Sequence, residues 1–199
     1  MRTVAIFLFP DVETLDFCGP LEAFSAANLA TGREYFKVLT FAAASPVRSI
    51  NGLSVNPDFD IASVPQPDIL VIPGGSGSRR AAEDATVLAA IERLRAGSEY
   101  AFSVCSGARI PAALGWLDDK PFTTHHLVFD DVLRLASSAL PCPDKRFVDN
   151  GAILTSAGVA AGIDLSLYLI EKIHGRELAE SAARYMEYPL LTAGTKERA

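Results

Sequence analysis

Apolar positions along the chain fall into two rhythms. Thr3–Phe9 (TVAIFLF) is an uninterrupted apolar run, as in a strand buried on both faces of a parallel sheet. Tyr35–Ala43, Asp68–Ile72 and Tyr100–Val104 repeat that pattern. Between them the spacing turns helical. Leu21–Leu29 places Leu21, Phe24, Ala27 and Asn28 on one face behind Pro20, and Ala85–Ala96 spaces Val87, Leu88, Ile91 and Leu94 as an amphipathic helix does. Ser106–Leu114 reads as a helix despite Pro111. Ser49–Val55 carries Asn51-Gly52 between short β-prone flanks, a hairpin signal. Pro121–Thr124 reads as extended, and Arg146–Val148 and Ala152–Thr155 form a second hairpin through Asp149-Asn150-Gly151. The spacing of Ile163, Leu167, Ile170 and Ile173 predicts a closing helix.

Repeated β-then-α order with short connections predicts an α/β fold, an open and mostly parallel central sheet with helices on both faces. No repeat, low-complexity tract or linker divides residues 1–199, so one domain is expected, with its core at about 3–189 and a short C-terminal tail. Ligands of such sheets bind beyond the carboxyl ends of the strands. Three unusual segments fall there: Asp16 in the loop after the first strand, Gly74-Gly75 after DILVI, and Cys105 after YAFSV.

SVCSGA sets Cys105 between a strand and a helix start, where a sharp turn lifts the side chain as in a nucleophile elbow, with sulfur in place of hydroxyl. The helix start favours the thiolate, the reactive form. Open backbone at Gly74 and Gly75, with the Ser106 amide, offers N–H donors for charge developing on a substrate. Asp16, flanked by Leu15 and Phe17, tends toward a raised pKa suited to proton exchange, although an Asp at a helix start also serves as a cap. His125 is a secondary candidate, as base for the sulfur. Read as neighbours in a strand, His125 and His126 point to opposite faces, and with His174 remote no metal constellation is expected. Neither metal nor organic cofactor is expected, because sulfur and carboxyl supply the chemistry.

Composition narrows the partners. Eighteen Lys and Arg against 24 Asp and Glu give a net charge of −6 without a basic run, which disfavours nucleic acid. No apolar stretch approaches a membrane span or a signal peptide, so a cytoplasmic address is expected. Three cysteines, Cys18, Cys105 and Cys142, are too few for a disulfide scaffold. A small-molecule substrate is the remaining expectation.

LDFCGP, DILVIPGG, SVCSGA, the TTH after Leu117 and TSAGVAAGIDLSLYLI, in this order, resemble the ThiJ/PfpI superfamily, relatives of class I glutamine amidotransferases. Within it the chain is most similar to isocyanide (isonitrile) hydratases and to the sensor domains of AraC-type regulators. The resemblance implies a flavodoxin-like three-layer sandwich and a homodimer. It also implies Cys105 as nucleophile, Asp16 as acid/base partner, and Ser106 with Gly74 or Gly75 on the oxyanion side. Ser106 stands where the peptidase-like branch has histidine and where hydratases usually carry threonine. The implied activity is a hydratase or lyase acting on a small electrophile. A glyoxalase- or deglycase-like enzyme and a non-enzymatic redox or ligand sensor are the alternatives. The regulators' helix-turn-helix half has no counterpart within these 199 residues, so DNA binding is not expected.

Overall fold

The computed structural model describes residues 1–190, and the tail expected beyond Pro189 lies almost wholly outside them. In chain order the first half comprises β1 (Arg2–Leu8), α1 (Thr14–Leu29), β2 (Phe36–Ala42), β3 (Val47–Arg48), β4 (Ser54–Val55), β5 (Phe59–Asp60), β6 (Ile69–Ile72), α2 (Ser78–Ala81) and α3 (Ala85–Ala96). Then come β7 (Tyr100–Val104), a 3-10 turn (Cys105–Ala108), α4 (Arg109–Ala113), β8 (Pro121–Phe122), α5 (Phe129–Leu135) and β9 (Leu140–Pro141). β10 (Phe147–Asp149), β11 (Ile153–Ser156), α6 (Ala161–His174) and α7 (Arg176–Tyr185) complete the order.

Seven strands form one sheet in the order β10-β11-β7-β6-β1-β2-β5, parallel except for β10. Val4 to Leu8 of β1 are fully buried, because this central strand is covered on both faces. The crossover β1-α1-β2 leaves the sheet centre in one direction and β6-α3-β7 in the other. Right-handed crossovers therefore set α1 and α3 on opposite faces, giving three layers. The strand order reverses between β1 and β6, so the chain segments leaving those two strands diverge and open a crevice at the carboxyl edge. Asp16 follows β1 and Gly74 follows β6, one on each side of it.

Local chemistry explains most boundaries. Asp84 caps α3 by accepting from the amides of Thr86 and Val87, and the apolar stripe Val87, Ile91 and Leu94 is buried. The expected hairpins are β3-β4 and β10-β11, both antiparallel. The helix expected over Ser106–Leu114 opens as the 3-10 turn and becomes α4 only at Arg109, and the start of α1 differs more. α1 begins at Thr14, seven residues before Leu21, so Asp16 lies in its first turn rather than in a loop, and Pro20 is inside the helix. Glu13 occupies the cap position and accepts from Thr14 N, so Asp16 is not the cap. Gly19-Pro20 reads as a break in sequence. Pro20 sits in the second turn and removes only the N–H that would have met the Asp16 carbonyl, while Gly19 lets α6 approach, with Ile163 2.9 Å from where a Cβ would be.

Gly162 has the same function from the other side, since a Cβ there would meet Val104 Cγ1 at 2.9 Å, and Val104 is fully buried. Gly162→Ala is expected to lower stability by about 1–3 kcal/mol through overpacking at the base of the Cys105 turn, measured as a reduced urea midpoint. An unchanged midpoint would show that α6 can move away from β7.

Candidate active site

Backbone strain places the sulfur. Cys105 follows β7 directly with φ +56, in the left-handed region that costs a non-glycine residue about 1–2 kcal/mol. Both ends of the peptide are held: Cys105 N donates to the Ala157 carbonyl at 3.1 Å, and Thr124 Oγ1 donates to the Cys105 carbonyl at 2.7 Å. The turn then presses onto the end of β6, where a Cβ on Gly107 would lie 2.3 Å from the Ile72 carbonyl oxygen. Glycine is required there because the obstacle is backbone. The thiol that results is 7% exposed.

Asp16 meets it from α1. The carboxyl is fully buried, and its Oδ2 accepts from Gly74 N at 2.9 Å. Oδ1 has no well-formed hydrogen bond among the described residues, although the Cys105 thiol and the Val159 amide both face the carboxyl. Burial dominates the electrostatics and pushes the Asp16 pKa up to about 7, against the Gly74 and Cys105 hydrogen bonds that lower it. Burial also pushes the Cys105 thiol up to about 12, with the Asp16 charge adding to it and the amides of Ser106 and Val159 opposing it. The helix start therefore does not make a resting thiolate, because loss of water around the sulfur outweighs the two N–H groups aimed at it. The pair releases one proton near neutrality and holds the other well into alkaline pH.

The glycine amides are committed elsewhere than expected. Gly74 N–H holds Asp16, and Gly75 N–H donates to Ser106 Oγ at 2.9 Å, so neither is an open donor toward a bound molecule. Gly74 also has a steric role: a Cβ on it would lie 2.6 Å from Ser106 N and 2.7 Å from Asp16 Oδ2. Ser106 is wired inward as well, since its hydroxyl also reaches the Gly75 carbonyl at 3.0 Å. The donors facing sulfur are the Ser106 and Val159 amides. Val159, in a strained turn at φ +48, escaped the sequence reading because a backbone donor has no side-chain signature.

His125 is not among the groups acting on the thiol. It packs beside Gly158, its Nδ1 accepts from Leu127 N at 3.3 Å, and burial and His126 lower its pKa, so it is neutral at neutral pH. His125 and His126 lie in a turn between β8 and α5 with ring centroids 4.3 Å apart, so they do not point to opposite faces of a strand. The turn replaces the strand because β8 stops at Phe122. Cys18, on α1, is half-buried, and burial raises its pKa. Among the described residues no three His, Cys, Asp or Glu side chains gather as a metal site.

Known proteins share this arrangement of elements. The DJ-1/PfpI family profile matches residues 2–172. An isonitrile hydratase from Pseudomonas putida is 32% identical over 185 residues, covering 93% of this chain and 78% of the relative. The HTH-type transcriptional regulator GbdR of Pseudomonas aeruginosa is 25% identical over 191 residues, with this chain spanning 51% of the regulator. A crystal structure of a ThiJ/PfpI family protein from Pseudomonas syringae superposes with a TM-score of 0.85 at 30% identity, covering 98% of this chain and 79% of that one.

A buried carboxyl with a raised pKa stabilises the fold while protonated and loses that contribution as pH rises from the unfolded value through the folded one. The window for Asp16 therefore runs from about pH 4 to about 7. Asp16→Asn is expected to be more stable than wild type above this window by a few kcal/mol, roughly the cost of ionising the buried group, with the gain shrinking as pH falls toward 4. Denaturant titrations across that range check it. A difference that does not change with pH would mean that Asp16 ionises without penalty.

Proposed function

The chain belongs to the DJ-1/PfpI family, and from that premise we propose that it is a cysteine-dependent hydratase converting small isocyanides to N-substituted formamides. The observation that carries the reading is the apposition of the buried Cys105 thiol and the buried Asp16 carboxyl, with two backbone amides facing the sulfur. Asp16 as carboxylate takes the Cys105 proton as sulfur attacks the terminal carbon of R–N≡C. It then returns that proton to the same carbon, giving the thioimidate R–N=CH–S–Cys105. Water adds to this carbon, with one of its protons passing through Asp16 to nitrogen. Collapse expels sulfur, which recovers the hydroxyl proton by way of Asp16, and releases R–NH–CHO. The reaction thus consumes one isocyanide and one water. The amides of Ser106 and Val159 stabilise charge on sulfur while it is ionised.

A lyase acting on reactive aldehydes would use the same sulfur and is the competing enzymatic reading. A non-enzymatic redox or ligand sensor is the third reading, in which Cys105 would itself be oxidised or the site would only hold a ligand. The proposal also takes the enzyme to be a cytoplasmic homodimer. Leu15, Ile50 and Leu53 support the dimer as exposed apolar side chains on α1 and the β3-β4 connection, which Thr14 and Asn51 tie together at 2.8 Å. Among the described residues no helix is long and apolar enough to cross a membrane.

Turnover on a panel of small isocyanides and dicarbonyls tests the reading. Cys105→Ala is expected to abolish isocyanide hydration, and Asp16→Asn to lower kcat/KM by about 10²–10⁴-fold. Wild-type kcat/KM should rise with pH through about 7, as Asp16 becomes able to accept the thiol proton, and this rise should vanish in Asp16→Asn. Full turnover by Cys105→Ala, or consumption of dicarbonyls with isocyanides inert, would displace the proposal. Light scattering should give about twice the 21.2 kDa chain mass.

A further inference from the structure

A second concentration of charge lies behind the Cys105 turn. Arg79, Arg109 and Arg134 converge on Asp131, with Glu83 beside them, around a cleft of about 120 Å³. Asp131 Oδ2 accepts from Arg79 Nη2 at 2.7 Å and from both Nε, at 3.1 Å, and Nη2 of Arg109, while Oδ1 accepts from Arg134 Nη2. Four N–H donors occupy about the whole accepting capacity of one carboxylate, whereas three guanidiniums present many more donors than that. Glu83 makes no ion pair among the described residues, and the cleft keeps an excess of positive charge even when it is counted. In a chain of net charge −6 this local reversal of sign stands out. The Arg109 side chain is only 9% exposed, so the cluster has a fixed floor, while Arg79 and Arg134, at 62% and 69%, are open to an incoming molecule.

The floor is wired to the Cys105 turn. Arg109 Nη1 donates to Ser78 Oγ at 2.8 Å, and Ser78 Oγ reaches the Gly75 carbonyl at 2.8 Å and Ser106 Oγ at 3.2 Å. Ser106 follows Cys105 directly, and its amide is one of the two facing the sulfur. Three hydrogen-bonded side chains thus connect the outer cleft to the peptide carrying the thiol.

We propose that the Arg79–Arg109–Arg134 cleft binds a small phosphoryl oxyanion, and that the bound anion alters the Cys105 environment through Ser78 and Ser106. Guanidinium forks match phosphoryl oxygens in pairs, and three terminal oxygens suit donors arriving from three side chains better than the two of a carboxylate do. The volume equals that of about four liquid waters, enough for one tetrahedral oxyanion in their place. The anion draws on Arg79 and Arg134, weakens their hold on Asp131, and so changes how firmly Asp131 fixes Arg109 against Ser78. Binding is independent of the isocyanide reading, and the coupling concerns the thiol whatever its substrate.

Two measurements on the full chain decide it. Calorimetric titration with inorganic phosphate, and separately with glycerol phosphate, is made against acetate at matched ionic strength. Saturable phosphate binding is expected, weakened at least 10-fold in the Arg79→Gln/Arg134→Gln double variant, whose altered side chains are exposed enough to leave the fold intact. A preference for glycerol phosphate over phosphate identifies a phosphorylated small molecule as the source, and the reverse identifies the free ion. Peptide-resolved alkylation of Cys105 by iodoacetamide should change rate at least 2-fold at saturating phosphate, and should not change in Ser78→Ala, where the relay is cut. No saturable binding, equal binding of acetate, or full affinity in the double variant overturns the site. Binding with an unchanged Cys105 rate overturns the coupling, and loss of isocyanide turnover bears on neither.

Discussion

The carboxyl of Asp16 is fully buried and held by a single backbone amide, and the rest of the site is arranged around that discomfort. Its oxygens cannot be hydrated, so the ionised form is costly, and the neighbouring thiol faces the same cost. Two acids that dislike charge, set face to face, keep a proton between them well into alkaline pH. α1 must begin early enough to carry Asp16 over the crevice, and β7 must end in a strained turn to bring sulfur up to it. Neither segment would take its conformation on local preference alone.

Close backbone approach makes this meeting possible. Gly74 lies where any side chain would strike Ser106 and the carboxyl, and Gly107 lies against the end of β6. Around the carboxyl end of the sheet, loops that sequence alone would treat as independent share hydrogen bonds: Gly74 with Asp16, Gly75 with Ser106, Ala157 with Cys105, and Thr124 with the Cys105 carbonyl. The Val159 turn closes the circle from the α6 side and brings the one donor that faces both members of the pair. Removing one loop therefore loosens several.

β1, β2, β6 and β7 were legible because burial on both faces leaves continuous apolar runs, whereas the two-residue β5 is too short to leave one, and α3 was legible because Val87, Leu88, Ile91 and Leu94 keep helical spacing. α1 was not, because Gly19-Pro20 has the local chemistry of a break, and only packing against Ile163 explains why the helix passes through it. Cys105, Asp16 and Ser106 could be picked out as residues, but the destinations of the Gly74 and Gly75 amides could not, since hydrogen-bond partners 58 and 31 residues away leave no trace in spacing. Arg109 and Asp131 escaped for the same reason, being 22 residues apart on two short helices without strong periodicity. The thiol's protonation was not legible, because a helix start favours charge while burial opposes it, and sequence displays only the first.

The two flanks of the large sheet bear on the life of the chain before and between foldings. Its inner strands are greasy enough to act as templates for aggregation, yet β5 ends one side with two residues and the antiparallel β10 ends the other with three. Such short borders offer a second molecule little backbone to zip onto, except along β2, where β5 covers only Phe41 and Ala42.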